Sequence, residues 1–279
     1  MNKTALIALA FALVGCAAES PEVRRTSSDQ VELAGLLPAD AVLVGVAITP
    51  EGRRYVLDQR SGLYELSDGS ARLVVNTKLQ TSLDLTDVVA LDSDRFALTA
   101  EGDGFLLSLT TTQLSSYFCY LPASPPSGNE AGASGAPGPI SISQTLRQAG
   151  VDVSQRTESV AFNAATRELF VQPRTTRLDT GAVAGSELFV FTEQGGQPTR
   201  VSSLPDGSFV AGGMVADPPS RLILGAGSRI FEATPDGQIE LKRELDPAVN
   251  ITGMARDPSG AIWYLDGAAR RLVSMNDRF

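Results

Sequence analysis

The chain has 279 residues, a formal net charge of −9 at pH 7 and 43% hydrophobic residues. It contains no histidine, which excludes Ser-His-Asp and Cys-His catalysis and removes the commonest transition-metal ligand. An acidic chain without a basic segment is a poor partner for nucleic acid or an anionic membrane surface. We therefore expect a globular protein with no nucleic-acid partner.

Residues 1–15 predict an export signal. Lys3 precedes an apolar run, residues 5–14, that is too short to span a membrane. The run ends Leu13-Val14-Gly15-Cys16, which resembles the lipobox of bacterial lipoproteins. That resemblance implies cleavage before Cys16, acylation of this cysteine and attachment to a membrane in the cell envelope. Ala17 follows in place of an aspartate, which favours the outer membrane. The alternative is a plain secretory signal with a chance cysteine.

Two polar segments predict flexible chain. Residues 16–30 indicate a lipidated tether, which as a random coil would span roughly 20 Å. Residues 122–139 are rich in proline, glycine, alanine and serine, a composition that cannot bury enough apolar area to fold. Cys119, just before this insertion, lies in an apolar stretch and is expected to be a buried thiol.

The main pattern is a unit of two apolar strands joined by a turn, which occurs five times. Each turn has Pro, Gly, Asp, Asn or Ser at the positions that a tight turn needs. The shorter spacings between units match the 40–45 residues of a propeller blade. Equivalent positions in the five units are Val46, Val88, Val160, Met214 and Met254.

Each unit continues into a third strand, and four of the five continue into a fourth. The last unit lacks its fourth strand, and an unassigned apolar run, residues 31–36, could supply it from the other end of the chain. Ring closure of this kind removes open sheet edges. We therefore predict an all-β propeller over residues 31–279, with five four-stranded blades and the last blade closed by an N-terminal strand. A sixth blade built on residues 140–153, or a β-sandwich, is the alternative.

The last unit, residues 250–266, has the rhythm apolar-x-Asp-Pro-x-Gly-x-apolar-Trp. It resembles the blades of NHL-type and gluconolactonase-like propellers. In gluconolactonase-like proteins, carboxylates and an asparagine at the starts of the inner strands hold a divalent cation, usually calcium. The resemblance specifies architecture better than function, because propellers serve binding, scaffolding and hydrolysis alike.

Transferred to this sequence, the resemblance implies a metal set of Asp87, Glu158 and Asn250. The aligned strand starts are Gly45, Asp87, Glu158, Gly213 and Gly253, so only two carboxylates are retained. Calcium takes six to eight oxygen ligands, and three glycines at these positions argue against a strong site. We expect no cofactor, with calcium as the alternative. We favour the explanation that the two carboxylates are solvated channel residues or cap backbone groups at the strand entrance.

Residues 173–186 are expected to form a long loop between the second and third strands of the third blade. The charged residues Arg174, Arg177 and Asp179 make it a candidate contact site, because long loops on a rigid scaffold often carry binding.

Two functions fit these patterns. The first is a membrane-anchored lipoprotein, monomeric, whose propeller is a binding or scaffold module for a protein or a small molecule. The second is a calcium-assisted lactone or ester hydrolase, in which a metal replaces histidine by activating water. The missing histidine favours the first, non-enzymatic function.

Overall fold

The computed structural model describes residues 30–79, 83–100, 106–110, 114–115, 156–176, 183–192, 199–203, 211–217, 221–234 and 238–275. Outside this part lie the signal, Cys16, most of the tether, Cys119, the 122–139 insertion, residues 140–153, Arg177 and Asp179. No helix in the described part is long and apolar enough to cross a membrane. The described secondary structure is twenty strands and one turn of 3-10 helix, Thr77–Leu79.

The twenty strands form five antiparallel sheets of four strands each, which confirms the predicted five-bladed propeller. Blade 1 contains β2 (Leu43–Ile48), β3 (Arg54–Asp58), β4 (Gly62–Ser67) and β5 (Ser70–Asn76). Blade 2 contains β6 (Leu85–Ala90), β7 (Arg95–Ala100), β8 (Leu106–Thr110) and β9 (Leu114–Ser115). Blade 3 contains β10 (Arg156–Asn163), β11 (Glu168–Thr176), β12 (Val183–Thr192) and β13 (Thr199–Ser203). Blade 4 contains β14 (Gly213–Asp217), β15 (Arg221–Ala226), β16 (Arg229–Ala233) and β17 (Ile239–Glu244).

Blade 5 combines the two ends of the chain. It contains β18 (Ile251–Arg256), β19 (Ile262–Asp266), β20 (Arg271–Met275) and, as its outermost strand, β1 (Gln30–Glu32). β1 is antiparallel to β20, and the chain then continues into a loop that buries Leu33 and Leu37. The closing strand is therefore shorter than the predicted run of residues 31–36, because the leucines that follow β1 pack into the core instead of pairing.

The inner strands β2, β6, β10, β14 and β18 each contact the next one around the ring. Five apolar clusters fill the five gaps between neighbouring blades. The alternating pattern of each strand explains this arrangement, because side chains on both faces of a blade meet an adjacent blade. The core is thus a ring of interfaces around a central channel.

The molecule has two distinct ends. We call the end at which the inner strands begin the strand-start face, and the end at which they meet their first hairpin turns the turn face. In four blades the inner strand carries a β-bulge near its beginning, with Val44, Thr86, Glu158 and Thr252 as the extra residues. A bulge of this kind re-aims side chains and is common next to functional sites.

The loop predicted over residues 173–186 is too long at both ends. β11 extends to Thr176 and β12 begins at Val183, with Arg174 opposite Ser186 and Thr175 opposite Gly185. The β-branched Thr175, Thr176 and Val183 favour extended pairing over a loop. Arg174 consequently belongs to a strand, and the connection between the two strands is much shorter than expected.

Candidate functional site

The central channel is closed near the strand-start face by backbone packing. Gly45, Gly213 and Gly253 occupy equivalent positions in blades 1, 4 and 5. A Cβ atom on Gly213 would lie 2.5 Å from the amide nitrogen of Met254, and one on Gly253 would lie 2.7 Å from that of Val46. Because real Cβ atoms do not approach this closely, glycine is what lets these inner strands touch. The glycines that argued against a metal site are therefore the seal of the channel.

Asp87 takes the equivalent position in blade 2 and bridges to blade 3. Its Oδ1 accepts a hydrogen bond from the amide of Val88 at 2.8 Å. Its Oδ2 accepts from the Ser159 hydroxyl at 2.8 Å and from the amide of Val160 at 3.1 Å. These amides belong to inner strands, which have no further strand on the channel side. The carboxyl group thus satisfies backbone donors that would otherwise face the axis.

Burial raises the pKa of the Asp87 carboxyl to about 8, although the hydrogen bonds from Val160, Ser159 and Val88 act in the opposite direction. Desolvation outweighs them because the charged form loses its water in the sealed channel. Asp87 therefore carries a proton over most of the neutral range.

The register of blade 3 corrects the sequence alignment. Ser159, and not Glu158, is paired at the position equivalent to Asp87, since Glu158 is the extra residue of the bulge. Glu158 is buried, with 8% of its surface exposed. Asn250 is exposed, and its backbone N–H donates to Asp266 Oδ1 at 3.2 Å. Within the described ranges, no group of three or more Asp, Glu, Cys or His side chains is placed to hold a metal ion. The set of Asp87, Glu158 and Asn250 stays a prediction.

The channel opens at the turn face into a cavity of about 390 Å³, which we call the cup. All five inner strands contribute to it, with their last residues and the turns that follow. Met214 and Met254, which directly follow Gly213 and Gly253 in the sequence, line the cup. The described lining residues are mostly apolar: Ala47, Ile48, Pro50, Val89, Ala90, Leu91, Ala161, Phe162, Ala164, Ala165, Met214, Val215, Ala216, Met254, Ala255 and Pro258. A cavity of this size and character is typical of small-molecule sites.

Four polar residues complete the described lining, and three of them are engaged with the protein. Asp257 accepts hydrogen bonds from Ser259, from the Ala261 amide and from Trp263 Nε1. Thr49 Oγ1 accepts from the Arg53 amide at 3.3 Å. These contacts hold the turns that form the rim. They leave neither side chain obviously available as a nucleophile or base.

Arg256, the third, donates to Asp217 Oδ1 at 2.6 Å and so joins blade 5 to blade 4. Asp217 also pairs with Arg221, which begins a chain of alternating charges along blade 4. Three cations and three carboxylates take part: Arg256, Asp217, Arg221, Glu232, Lys242 and Glu240. The charged residues of the described lining are Arg256 and Asp257, which carry opposite charges, so this lining has no net positive charge with which to attract an anion.

Asn163 is the fourth polar residue, and it differs from the others. Its Oδ1 accepts from the amides of Ala165 at 3.0 Å and Thr166 at 3.4 Å, which caps the first turn of blade 3. Only 3% of the surface of Asn163 is exposed, yet the residue lines the cup. Its side-chain nitrogen, Nδ2, has no hydrogen-bond partner within the described residues. The described lining of the cup is thus mostly apolar, with two donors that lack a partner, the Asn163 side-chain nitrogen and the buried Arg256 Nε.

No protein-family model matches the sequence, and no curated protein matches it either. Several solved structures share the fold. A nidogen/laminin complex has a TM-score of 0.52 and 10% identity, covering 81% of this chain and 72% of its own. A gluconolactonase from Xanthomonas campestris has a TM-score of 0.51 and 15% identity, with 86% and 74% covered. A putative oxidoreductase (glucose dehydrogenase) from Thermus thermophilus has a TM-score of 0.50 and 11% identity, with 88% and 98% covered.

At these identities the likeness shows the fold alone. The chain is a β-propeller with five blades, similar in architecture to gluconolactonase and to other propellers of different function. The class of protein is therefore established, and the activity has to be argued from the cup and the channel.

Proposed function

We propose that the chain is a lipid-anchored lipoprotein of the cell envelope whose propeller is a binding module. Its ligand is a small apolar molecule that occupies the cup. The observation that carries this proposal is the cup itself, since five blades converge there to expose alanine, valine, methionine and phenylalanine in a cavity of about 390 Å³. Exposed apolar surface in a concave site is usually kept for a ligand.

The chemistry of the cup supports binding over catalysis. Its described lining contains no serine, cysteine, lysine or glutamate. Asp257 is the lining carboxylate, and four hydrogen bonds hold it in the turn. A general base must reach a substrate proton, and a carboxylate that accepts this many donors is poorly suited to that task.

The proposal is tested with the apolar fluorophore diphenylhexatriene, whose emission rises when it leaves water. The mature full-length chain should bind it saturably, with one site per chain. Ala90→Phe places a ring in the cup and should weaken binding at least about tenfold, whereas Ala268→Phe, on an exposed turn of the opposite face, should have no effect. Ala165→Phe at the rim is a second blocking variant, since Ala165 is exposed and leaves the core untouched. Equal binding by all four proteins would refute the proposal.

The calcium-assisted hydrolase is the alternative hypothesis, with Asp87, Glu158 and Asn250 as its metal set. It requires calcium to stabilise the folded chain by mass action. The binding module predicts that the midpoint of thermal unfolding is the same in millimolar calcium and in chelator. A rise of several degrees with calcium, lost in Asp87→Asn, would favour the hydrolase.

A further inference from the structure

The direction of β1 shows on which face the N-terminal segment joins the propeller. β1 pairs antiparallel with β20, with Gln30 opposite Val273 and Glu32 opposite Arg271. β20 runs toward the turn face, because it is two strands out from the inner strand β18 in an antiparallel sheet. β1 therefore starts at the turn face and ends at the strand-start face. The chain enters the propeller on the face to which the cup opens.

Two strand-to-strand connections leave and re-enter the propeller at its other end. β9 ends and β10 begins at the strand-start face, so the chain between Ser115 and Arg156 leaves and re-enters there. The connection from β11 to β12 is on the same face. The turns around the cup, by contrast, are short. The turn face is thus the one that bears the N-terminal entry.

We propose that the cup opens toward the bilayer and takes an uncharged membrane lipid bearing an acceptor oxygen, such as an ester carbonyl. This inference rests on the proposed lipid anchor at Cys16. A tether of residues 17–30 would hold the turn face within roughly 20 Å of the surface as a random coil. An apolar ligand is scarce in water and concentrated in a bilayer, so a cup facing the bilayer is placed at its source.

Two features of the cup select an uncharged ligand. The Asn163 side-chain nitrogen is an unpartnered donor on a cup residue that is 3% exposed, and a ligand oxygen would give it the acceptor that a purely apolar ligand would deny it. Arg256 is the cation of the described lining, and it is paired with Asp217. Among the described lining residues an anionic head group would therefore meet no free cation, and the chain as a whole is acidic.

Orientation is measured by energy transfer from a fluorophore on the protein to an acceptor lipid. The protein is the mature full-length chain in phosphatidylcholine vesicles, with Cys119→Ser as background. Ser259→Cys and Ala268→Cys form a matched pair, since both residues are exposed on turns of blade 5, at opposite ends of β19. The strand and its turns separate the two labels by roughly 20 Å. Energy transfer to the acceptor lipid should be clearly higher from a label at position 259 than from one at position 268.

Ligand chemistry is measured with the methyl ester of cis-parinaric acid, which is fluorescent and uncharged. Asn163→Asp keeps the Oδ1 cap of the turn but removes the amide donor and adds an acceptor. Affinity for the ester should fall about tenfold or more, while diphenylhexatriene, which has no oxygen, should lose much less. Thermal unfolding of Asn163→Asp checks that the turn is intact.

The outcomes separate this inference from the proposed function. A chain that does not associate with vesicles when Cys16 is present refutes the anchor. A vesicle-bound chain with equal transfer from both labels, or with more from residue 268, refutes the orientation while leaving the anchor standing. Equal loss of both probes in Asn163→Asp refutes the acceptor-oxygen requirement and leaves a purely apolar cup.

Discussion

Stability should fall as the pH rises from 5 to 8, because of one buried carboxyl group. Asp87 has an ordinary pKa of 3.8, and burial raises its pKa to about 8 in the folded chain. The folded state therefore binds this proton more tightly than the unfolded state. The resulting stabilisation is fully present below pH 4 and is lost as the pH rises through 8. One unit of pKa difference corresponds to about 1.36 kcal/mol.

The size of the effect follows from this pKa shift. Between pH 5 and pH 8 the free energy of unfolding should fall by about 1.4 kcal/mol per pH unit, or roughly 4 kcal/mol in total. That is a large part of the 5–15 kcal/mol by which a typical domain is stable. No imidazole titrates in this window, since the chain has no histidine.

Two other carboxyl groups have shifts of the opposite sign. Burial acts to raise the pKa of Asp92 and of Asp257, but hydrogen bonds outweigh it. Arg95 is the main donor to Asp92, and Ser259 and Trp263 are the main donors to Asp257. The pKa of each therefore lies below its ordinary value. Their stabilisation is present above the ordinary pKa and is lost only as the pH falls below about 4, outside the chosen window.

The assay is urea unfolding at pH 5, 6, 7 and 8, compared with Asp87→Asn. The amide cannot ionise, so the variant should show no slope in this range. At pH 5 its free energy of unfolding should lie within about 1–2 kcal/mol of the wild-type value, because one hydrogen bond is altered. At pH 8 the variant should be more stable than the wild type. A wild-type stability that is constant from pH 5 to 8, or an unchanged slope in Asp87→Asn, would refute the reasoning.

Three further predictions concern the ring. Gly253→Ala should destabilise the fold by about 2 kcal/mol in urea unfolding, because its Cβ would lie 2.7 Å from the Val46 nitrogen and force β18 away from β2. Arg270→Met should cost about 2 kcal/mol and speed hydrogen exchange at Leu33, since the guanidinium binds four carbonyls of residues 37–41. Deleting residues 31–36 should prevent folding, whereas Cys16→Ser should change only membrane attachment.

Each of these has a result that contradicts it. A cost below about 0.5 kcal/mol for Gly253→Ala would mean that the inner strands are not in backbone contact. Unchanged exchange at Leu33 in Arg270→Met would show that the loop over residues 37–41 holds without the guanidinium. A cooperative unfolding transition after deletion of residues 31–36 would show that ring closure by β1 is dispensable.

The architecture was predictable because its signals are local and repeated. Two apolar runs around a turn, five times over, define the inner hairpin of each blade, and each unit continues into the third strand that was predicted for it. The missing last strand of the fifth unit pointed to closure from the N-terminus. Repetition compensates for weak individual signals, because each copy supports the assignment of the others.

The site was harder to predict, because it depends on register and on contacts between blades. Ser159 directly precedes Val160 as Asp87 directly precedes Val88, so the alignment of Glu158 with Asp87 was one residue out, and the strand pairing reveals it. In the sequence, Asn163 is an asparagine at the start of a turn and has no other distinguishing feature. Only the structure shows that its side-chain nitrogen lies at the cup without a partner. The recurrent alanines two or three residues after the sealing position were the signal that could have indicated a cavity.

The most direct test of the cup as a binding site uses the single tryptophan of the chain. Trp263 is buried in blade 5, and its Nε1 donates to Asp257, a cup residue, at 3.0 Å. Diphenylhexatriene bound in the cup should quench Trp263 emission by energy transfer, saturably and with one probe per chain. Ala90→Phe should abolish this quenching, and Ala268→Phe should retain it. Probe binding without quenching of Trp263, or quenching that survives Ala90→Phe, would place the ligand elsewhere and contradict the account.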